Sequence, residues 1–370
     1  MDRNYGLKCI VFYDRLIGNT HFGWNFGQKL SKRKRCLLII WNLVFLSLVS
    51  IHCYIGLKNS FLNSDTEFDL NNYRPDASKH TKILPLILFS VGFVTYTVQT
   101  LSIGIFLVLR GPNILDIINT EDIIKVDPKY EKKIGIILVV IRFILTTAFI
   151  TTIGIVMYDN YAVSESRFSN LIILMSLLYF LSVNTQLIVT SLILYKSLII
   201  SKQFESLSEM EDLSTIFDNI CKVNQTIERF DSLISGYTLF KLAMNTMICI
   251  SFSCMLSIVP EENPTNSVSH VVTSFLLIFV LCLVCDIIPK RFHKLLKKLK
   301  TKFEANTRSK SLCERVYSHV IMIRMNEIKS EICFTAFGLF RVNTNTLLSS
   351  MALIISYSII IIQTTVHSPR

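Results

Sequence analysis

The sequence predicts an all-α, polytopic membrane protein of seven transmembrane helices, with a cytoplasmic N-terminus and an extracellular C-terminus. Three observations predict it. Of its 370 residues 51% are apolar and only 18% charged, and the mean hydropathy is +0.47. Seven apolar stretches, 37–57, 83–109, 134–157, 169–199, 237–259, 268–289 and 332–364, reach the roughly 20 residues that a helix needs to cross a bilayer. Lysine and arginine then separate by side: thirty fall in the N-terminal tail and the even-numbered loops, six on the opposite side. Positive flanks resist translocation, so the rich side is the cytoplasm.

Residues 1–36 form a basic cytoplasmic tail whose tetrad Lys32-Arg33-Lys34-Arg35 anchors the first span. The first apolar run starts too late and runs too long for a cleaved signal peptide. Residues 37–200 hold spans one to four. Arg142 lies about 12 Å inside the third span by the helical rise, and is expected to snorkel inward rather than face an aqueous cavity. In the linker 201–236, Ile216, Ile220, Val223, Ile227, Phe230 and Ile234 alternate by four and three residues, a heptad seam. Spans five and six occupy 237–289, where Asp286 is the one carboxylate within any span and stands a turn from Lys290.

The segment 290–331 opens with Lys290, Arg291, Lys294, Lys297, Lys298, Lys300 and Lys302. Directly after a span such a run marks a membrane-facing or solvated cytoplasmic helix, not a nucleic-acid site. Phe292, Leu295, Leu296, Leu299 and Phe303 give it an apolar stripe, and Pro289 tolerates a bend as the chain leaves the membrane. Two such stripes cannot stand in water. Either they pack within one chain, or Ile216, Ile220, Val223, Ile227, Phe230, Leu295, Leu299 and Phe303 anchor copies to each other. Segment 332–370 carries the last span, which Arg341, Asn343, Thr344 and Asn345 interrupt. A split helix is predicted, with a pore-lining half at 346–364 and an extracellular tail.

Several function classes drop out. No HExxH, GxSxG or Gly-rich phosphate loop is present, so the chain reads as non-enzymatic, with no metal and no cofactor. No row of intramembrane carboxylates supports a coupled transporter. The ten cysteines make no disulfide framework: Cys9, Cys36, Cys221 and Cys313 lie in the predicted cytoplasm, and none lies in an outer loop. Cys282 and Cys285, spaced as CxxC inside a span, read as apolar packing.

The final span has its own pattern. Ser349, Ser356 and Gln363 recur every seven residues on one face of an otherwise lipid-like helix. An unpaired amide in a bilayer costs roughly 2–7 kcal/mol, so Gln363 needs partners or water. A pore wall would supply water; alternatively, the small residues let this helix pack closely on a neighbour.

The C-terminal residues Gly338-Leu339-Phe340, Asn343, Leu347-Leu348 and Ser356-Tyr357 through Gln363 resemble the signature of insect gustatory receptors, a Gly-x-Phe…Asn…Leu segment followed by TYhhhhhQF. Ser356 stands for the family's Thr, and Thr364 for its usual Phe. The resemblance implies a homo- or heterotetrameric ligand-gated cation channel in the plasma membrane of gustatory neuron dendrites. Its partners are a small tastant, permeant cations, membrane lipids and related subunits, with no nucleic acid. The resemblance also implies that the last half-helix lines a central pore and that cytoplasmic helix ends form the anchor. Tyr357 carries over as a packing or hydrogen-bonding element of the pore helix and Gln363 as a pore residue near the outer gate. Ile360, one turn lower, offers an apolar plug where Thr364 lacks the family's bulk.

The implied ligand pocket opens outward among the second to sixth spans. Its candidate residues are Tyr96 and Gln99, Thr151 and Thr152, then Ser176, Phe180 and Asn184 on one helical face, with Ser253 and Thr273. Residues of this kind are more often hydrogen bonds within a bundle than ligand contacts. The outer halves hold no carboxylate to bind a sugar, which favours an apolar or amphipathic tastant of the bitter type. An odorant-receptor-type channel of the same superfamily shares this architecture. A metabotropic seven-span receptor would need the opposite topology, and Asp-Arg-Tyr and Asn-Pro-x-x-Tyr switches that the sequence lacks.

Overall fold

The computed structural model describes residues 5–16, 79–119, 126–161, 169–258, 264–306 and 311–366, with single positions at 40, 44, 47, 51 and 124. The expected first span, 37–57, lies outside the described residues apart from four helical positions. The chain is helical in the order α1 (Tyr5–Leu16), α2 (Lys79–Asn119), α3 (Pro128–Tyr161), α4 (Ser169–Leu207), α5 (Leu213–Ile258), α6 (Pro264–Asn306) and α7 (Leu312–Ile328). A two-stranded hairpin, β1 (Thr335–Ala336) and β2 (Phe340–Arg341), precedes α8 (Thr344–Val366). Four stretches among the described residues are long and apolar enough to cross a membrane: Leu187–Leu207, Leu213–Leu256, His270–Glu304 and Thr344–Gln363.

The 46-residue α5 is the central rod, packing on α2, α6, α7, α8 and β1. At about 1.5 Å per residue it runs about 69 Å, more than twice the roughly 30 Å of a hydrocarbon core. Its start is fixed by Asp212, whose carboxylate accepts the backbone N–H of Ser214 and Thr215 and the Thr215 hydroxyl. Those bonds hold the Asp212 carboxyl below the ordinary carboxylate range. The heptad seam Ile216, Ile220, Val223, Ile227, Phe230 and Ile234 is buried, in one cluster with Leu295, Leu299 and Phe303 of α6. Both predicted stripes are therefore buried within a single chain. Each such side chain gains roughly 1.5–3 kcal/mol on leaving water.

The structure corrects three expectations. Arg142 does not snorkel: it is 2% exposed, and its guanidinium lies 5.3 Å from the Tyr13 ring of α1. Helix α1, within what the sequence reads as a basic cytoplasmic tail, runs parallel to α3 and buries Leu7, Ile10 and Val11. The two backbones meet at Gly6 and Gly135, where a Cβ on Gly135 would fall 2.3 Å from the Gly6 carbonyl oxygen. Second, Lys196 and Lys241, counted as cytoplasmic flanks, are buried in the helix bundle. The lysine and arginine bias survives without them.

Third, 332–342 is not the inner half of a split helix. It is a short antiparallel hairpin pairing Thr335 with Arg341 and Ala336 with Phe340. Phe337 (φ 54°) and Gly338 (φ 72°) both occupy the left-handed region, and the Leu339 N–H closes the turn on the Ala336 carbonyl at 3.0 Å. Two consecutive positive φ angles make a type I′ turn, which no helix tolerates. Glycine adopts that conformation freely; a phenylalanine is strained there by order 1–3 kcal/mol.

Candidate ligand cluster and pore helix

Helices α2 and α5 meet along three levels. Phe106 stacks on Tyr237 with ring centroids 5.3 Å apart. Seven residues earlier in α2, the Gln99 amide donates to Asn245 Oδ1 at 3.0 Å. Seven earlier again, Gly92 lies so close to Phe252 that a Cβ would come within 2.7 Å of its ring. On α5 the partners step by eight and then seven residues, so the two antiparallel helices keep one face in contact over successive turns. The top level gains a third helix: His270 of α6 stacks on Phe252 at 4.5 Å and meets Tyr96 edge-on at 5.9 Å.

The middle level carries unspent polarity. Gln99 and Asn245 are both buried, yet Gln99 Oε1 and Asn245 Nδ2 have no hydrogen-bond partner among the described residues. One free acceptor beside one free donor is what a hydroxyl satisfies, since it both gives and accepts. Below them the Lys241 ammonium donates to Thr190 Oγ1 and to the Tyr237 hydroxyl, each at 2.9 Å.

Helix α8 is set by polar contacts at its base. Asn343 caps it, its side-chain oxygen accepting the N–H of Asn345 at 2.9 Å and of Thr346 at 3.1 Å. Asp286 forms the expected ion pair with Lys290 at 2.6 Å and also accepts the Thr344 hydroxyl at 2.6 Å. Asp231 of α5 accepts the Thr335 N–H at 2.8 Å and hydroxyl at 2.6 Å, and the Phe337 N–H bonds the Ser235 carbonyl at 3.1 Å. The hairpin and the foot of α8 are thus fastened to α5 and α6.

Above that foot α8 stands largely uncovered. Ser349, Ser356, Tyr357, Ile360 and Gln363 are exposed; Tyr357 and Ile360 are each 52% so. The Thr364 side chain lies outside the described residues. Beside the helix a groove of about 760 Å³ runs between α5 and α8, lined by Met247, Ile250, Ser349 and Leu353 and floored by Phe340 and Arg341.

No protein-family model and no curated protein matches this chain. Its architecture does match solved structures. The olfactory receptor OR5 from the insect Machilis hrabei, in complex with eugenol, superposes with a TM-score of 0.61 over 97% of both chains at 14% identity. A second structure of the same receptor superposes with a TM-score of 0.58, again at 14% identity and 97% coverage of each chain. The chain has the fold of an insect olfactory receptor.

Within this olfactory-receptor fold the predicted ligand residues divide. Tyr96 and Gln99 sit in the α2–α5–α6 cluster, and Ser253 and Thr273 lie half-buried beside Phe252 and one turn from His270. Thr151 and Thr152 fall on α3, and Ser176, Phe180 and Asn184 on α4, but their side chains lie outside the described residues. The sequence reading missed Gly92, Asn245, Phe252 and His270. Their signal was the seven-residue step from Asn245 to Phe252, which matches the step from Gly92 to Gln99 on the partner helix. Among the described residues no group of His, Cys, Asp and Glu could hold a metal.

Proposed function

We propose that this chain is a chemoreceptor, a tetrameric ligand-gated non-selective cation channel of the plasma membrane, non-enzymatic and without cofactor. One observation carries the reading. A 20-residue apolar helix of membrane-crossing length, only 6% buried in the single chain, shows serine and glutamine at heptad spacing on its uncovered surface. Such a helix needs covering partners on its apolar side and water on its polar side, and a ring of subunits around a pore provides both. The N-terminus is cytoplasmic and the C-terminus extracellular on this reading. Gln363 and Thr364 lie near the outer gate, and Ile360 forms the apolar plug.

Helix α7 offers the subunit contact. Leu312, Val316, Val320 and Ile323 form an exposed stripe at helical spacing, while Ile321 and Met325 bury its other side against the chain. In the cytoplasm that stripe needs an apolar partner, and a neighbouring subunit's α7 is one.

The ligand is a small amphipathic molecule that places a ring against Phe252, His270 and Tyr96 and a hydroxyl on the Gln99–Asn245 pair. Eugenol, the phenol in the similar receptor's complex, has that combination of groups. We read the ligand as a bitter-type tastant because the outer span halves hold no carboxylate for a sugar, and the C-terminal signature points to dendrites of gustatory neurons as the site of action. An odorant-type channel is the second reading, favoured by the fold of the solved olfactory receptor. The test expresses the chain with an epitope after Arg370, stains intact cells and records whole-cell current. Surface labelling with current evoked by bitter phenols, and without G protein, is expected. A tag reached only after permeabilisation, in cells carrying the protein at the surface, would sink the channel.

A further inference from the structure

The basic extension of α6 turns toward α4 a charged cleft that neither the ligand cluster nor α8 uses. Its volume is about 260 Å³; Phe204 and Leu295 floor it, and Glu209, Arg291, Lys294 and Lys298 stand in its walls. Both walls leave the predicted spans at one level, α4 just before Ser201 and α6 just before Arg291. By the helical rise, Lys294 lies about 7 Å beyond the predicted end of the span and Lys298 about 13 Å. The polar headgroup layer on each side of a bilayer is about 5–8 Å thick, so the Lys294 end of the cleft lies at the depth of lipid phosphates and Lys298 reaches back toward it from the aqueous side.

The charges in the cleft are of both signs and partly spent. Glu205 is held by Arg291 at 3.3 Å and by Lys202 at 3.0 Å. Lys298 donates to the Ser208 hydroxyl at 2.8 Å. Lys294 has no hydrogen-bond or ion-pair partner among the described residues, and the Glu209 carboxylate forms no salt bridge there. An ammonium with no partner among the described residues and a carboxylate that only the Lys202 charge reaches through space therefore line the same cleft.

We propose that this cleft binds the headgroup of phosphatidylserine, with Lys294 and Lys298 on the phosphate, Glu209 on the serine ammonium and Arg291 near the serine carboxylate. The charges complement each other: three cations and two carboxylates meet a headgroup of net −1 that itself contains an ammonium. A phosphoinositide would press clustered phosphates against Glu205 and Glu209. A choline headgroup has no N–H for Glu209, and phosphatidylglycerol, of the same net charge as the serine lipid, has no ammonium. The site rests on the proposed cytoplasmic placement of this end of the bundle, where anionic lipid concentrates.

Spin-labelled lipids added to the full-length protein in phosphatidylcholine vesicles test this, the protein-immobilised fraction being read by electron paramagnetic resonance. Expected is about five-fold preference for the serine over the choline lipid, the scale of one basic contact at a membrane surface. A clear preference for serine over glycerol lipid is also expected. Lys294→Ala should abolish the preference and Lys297→Ala, outside the cleft, should keep it; Glu209→Gln should equalise serine and glycerol lipids. Equal binding of serine and glycerol lipids by the wild type, stronger binding of phosphoinositide, or equal losses in both lysine variants would overturn the site. Ligand-evoked current is recorded from the same protein. Current without serine-lipid selectivity overturns the site and leaves the channel; selectivity without current leaves the site and removes the channel.

Discussion

At the scale of single residues, the Gln99–Asn245 pair decides how much polarity the bundle tolerates. Each amide covers half of the other's need. Asn245→Leu alone should destabilise by about 1–3 kcal/mol, because it strands the Gln99 amide in an apolar interior. The double replacement Gln99→Leu/Asn245→Leu should cost well under the sum of the two single changes, since neither partner is then left behind. Thermal unfolding of the purified protein reads the cycle, and strict additivity would refute the coupling. Gly92 makes a second, steric prediction. A methyl group 2.7 Å from the Phe252 ring forces that ring to move, at about 1–3 kcal/mol. Gly92→Ala should therefore shift the ligand dose–response as well as the melting temperature, whereas Ala substitutions on the lipid-facing side of α2 should shift neither.

At the scale of elements, the hairpin between α7 and α8 is where sequence and structure part. The break itself was legible: Arg341, Asn343, Thr344 and Asn345 cannot sit unpaired in an apolar helix, and Asn343 is indeed the cap of α8. The form of the preceding segment was not. Ile332, Phe334, Ala336, Leu339 and Phe340 look like helix by hydropathy, and the left-handed Phe337–Gly338 turn folds the segment into a hairpin instead. A single glycine beside a phenylalanine does not announce that. The heptad seam was legible as a stripe, but a stripe states that it must be covered and not by what; here α6 covers it. Helix α1 was hidden because 12 residues are too few for a span and its burial depends on one glycine in α3. Asp231→Ala tests the fastening of the hairpin to α5. Faster hydrogen exchange at Thr335 and Phe337 is expected, with protection in the middle of α5 unchanged; unaltered exchange would show that the turn holds itself.

At the scale of the whole molecule, a likeness over 97% of both chains at 14% identity means that patterning, not particular residues, specifies this bundle. The run of long apolar helices was therefore readable from one sequence, while the cluster of Tyr96, Phe252 and His270 depends on register between helices that hydropathy does not encode. Assembly has a direct test. Val316→Glu with Val320→Glu places two charges on the uncovered stripe of α7 and leaves its buried side intact. Mass photometry should then find single subunits that keep the wild-type circular dichroism; tetramers of undiminished mass would exclude α7 as the contact. The uncovered state of α8 also has a genetic consequence. Because that helix adds little to the core, a chain stopped after Asn343 should still fold and still present α7. Co-expressed with the intact chain, it would enter rings as a subunit without a pore wall. One early stop codon in one allele would then silence most receptors in a cell, and such mutations would be inherited as dominant rather than recessive.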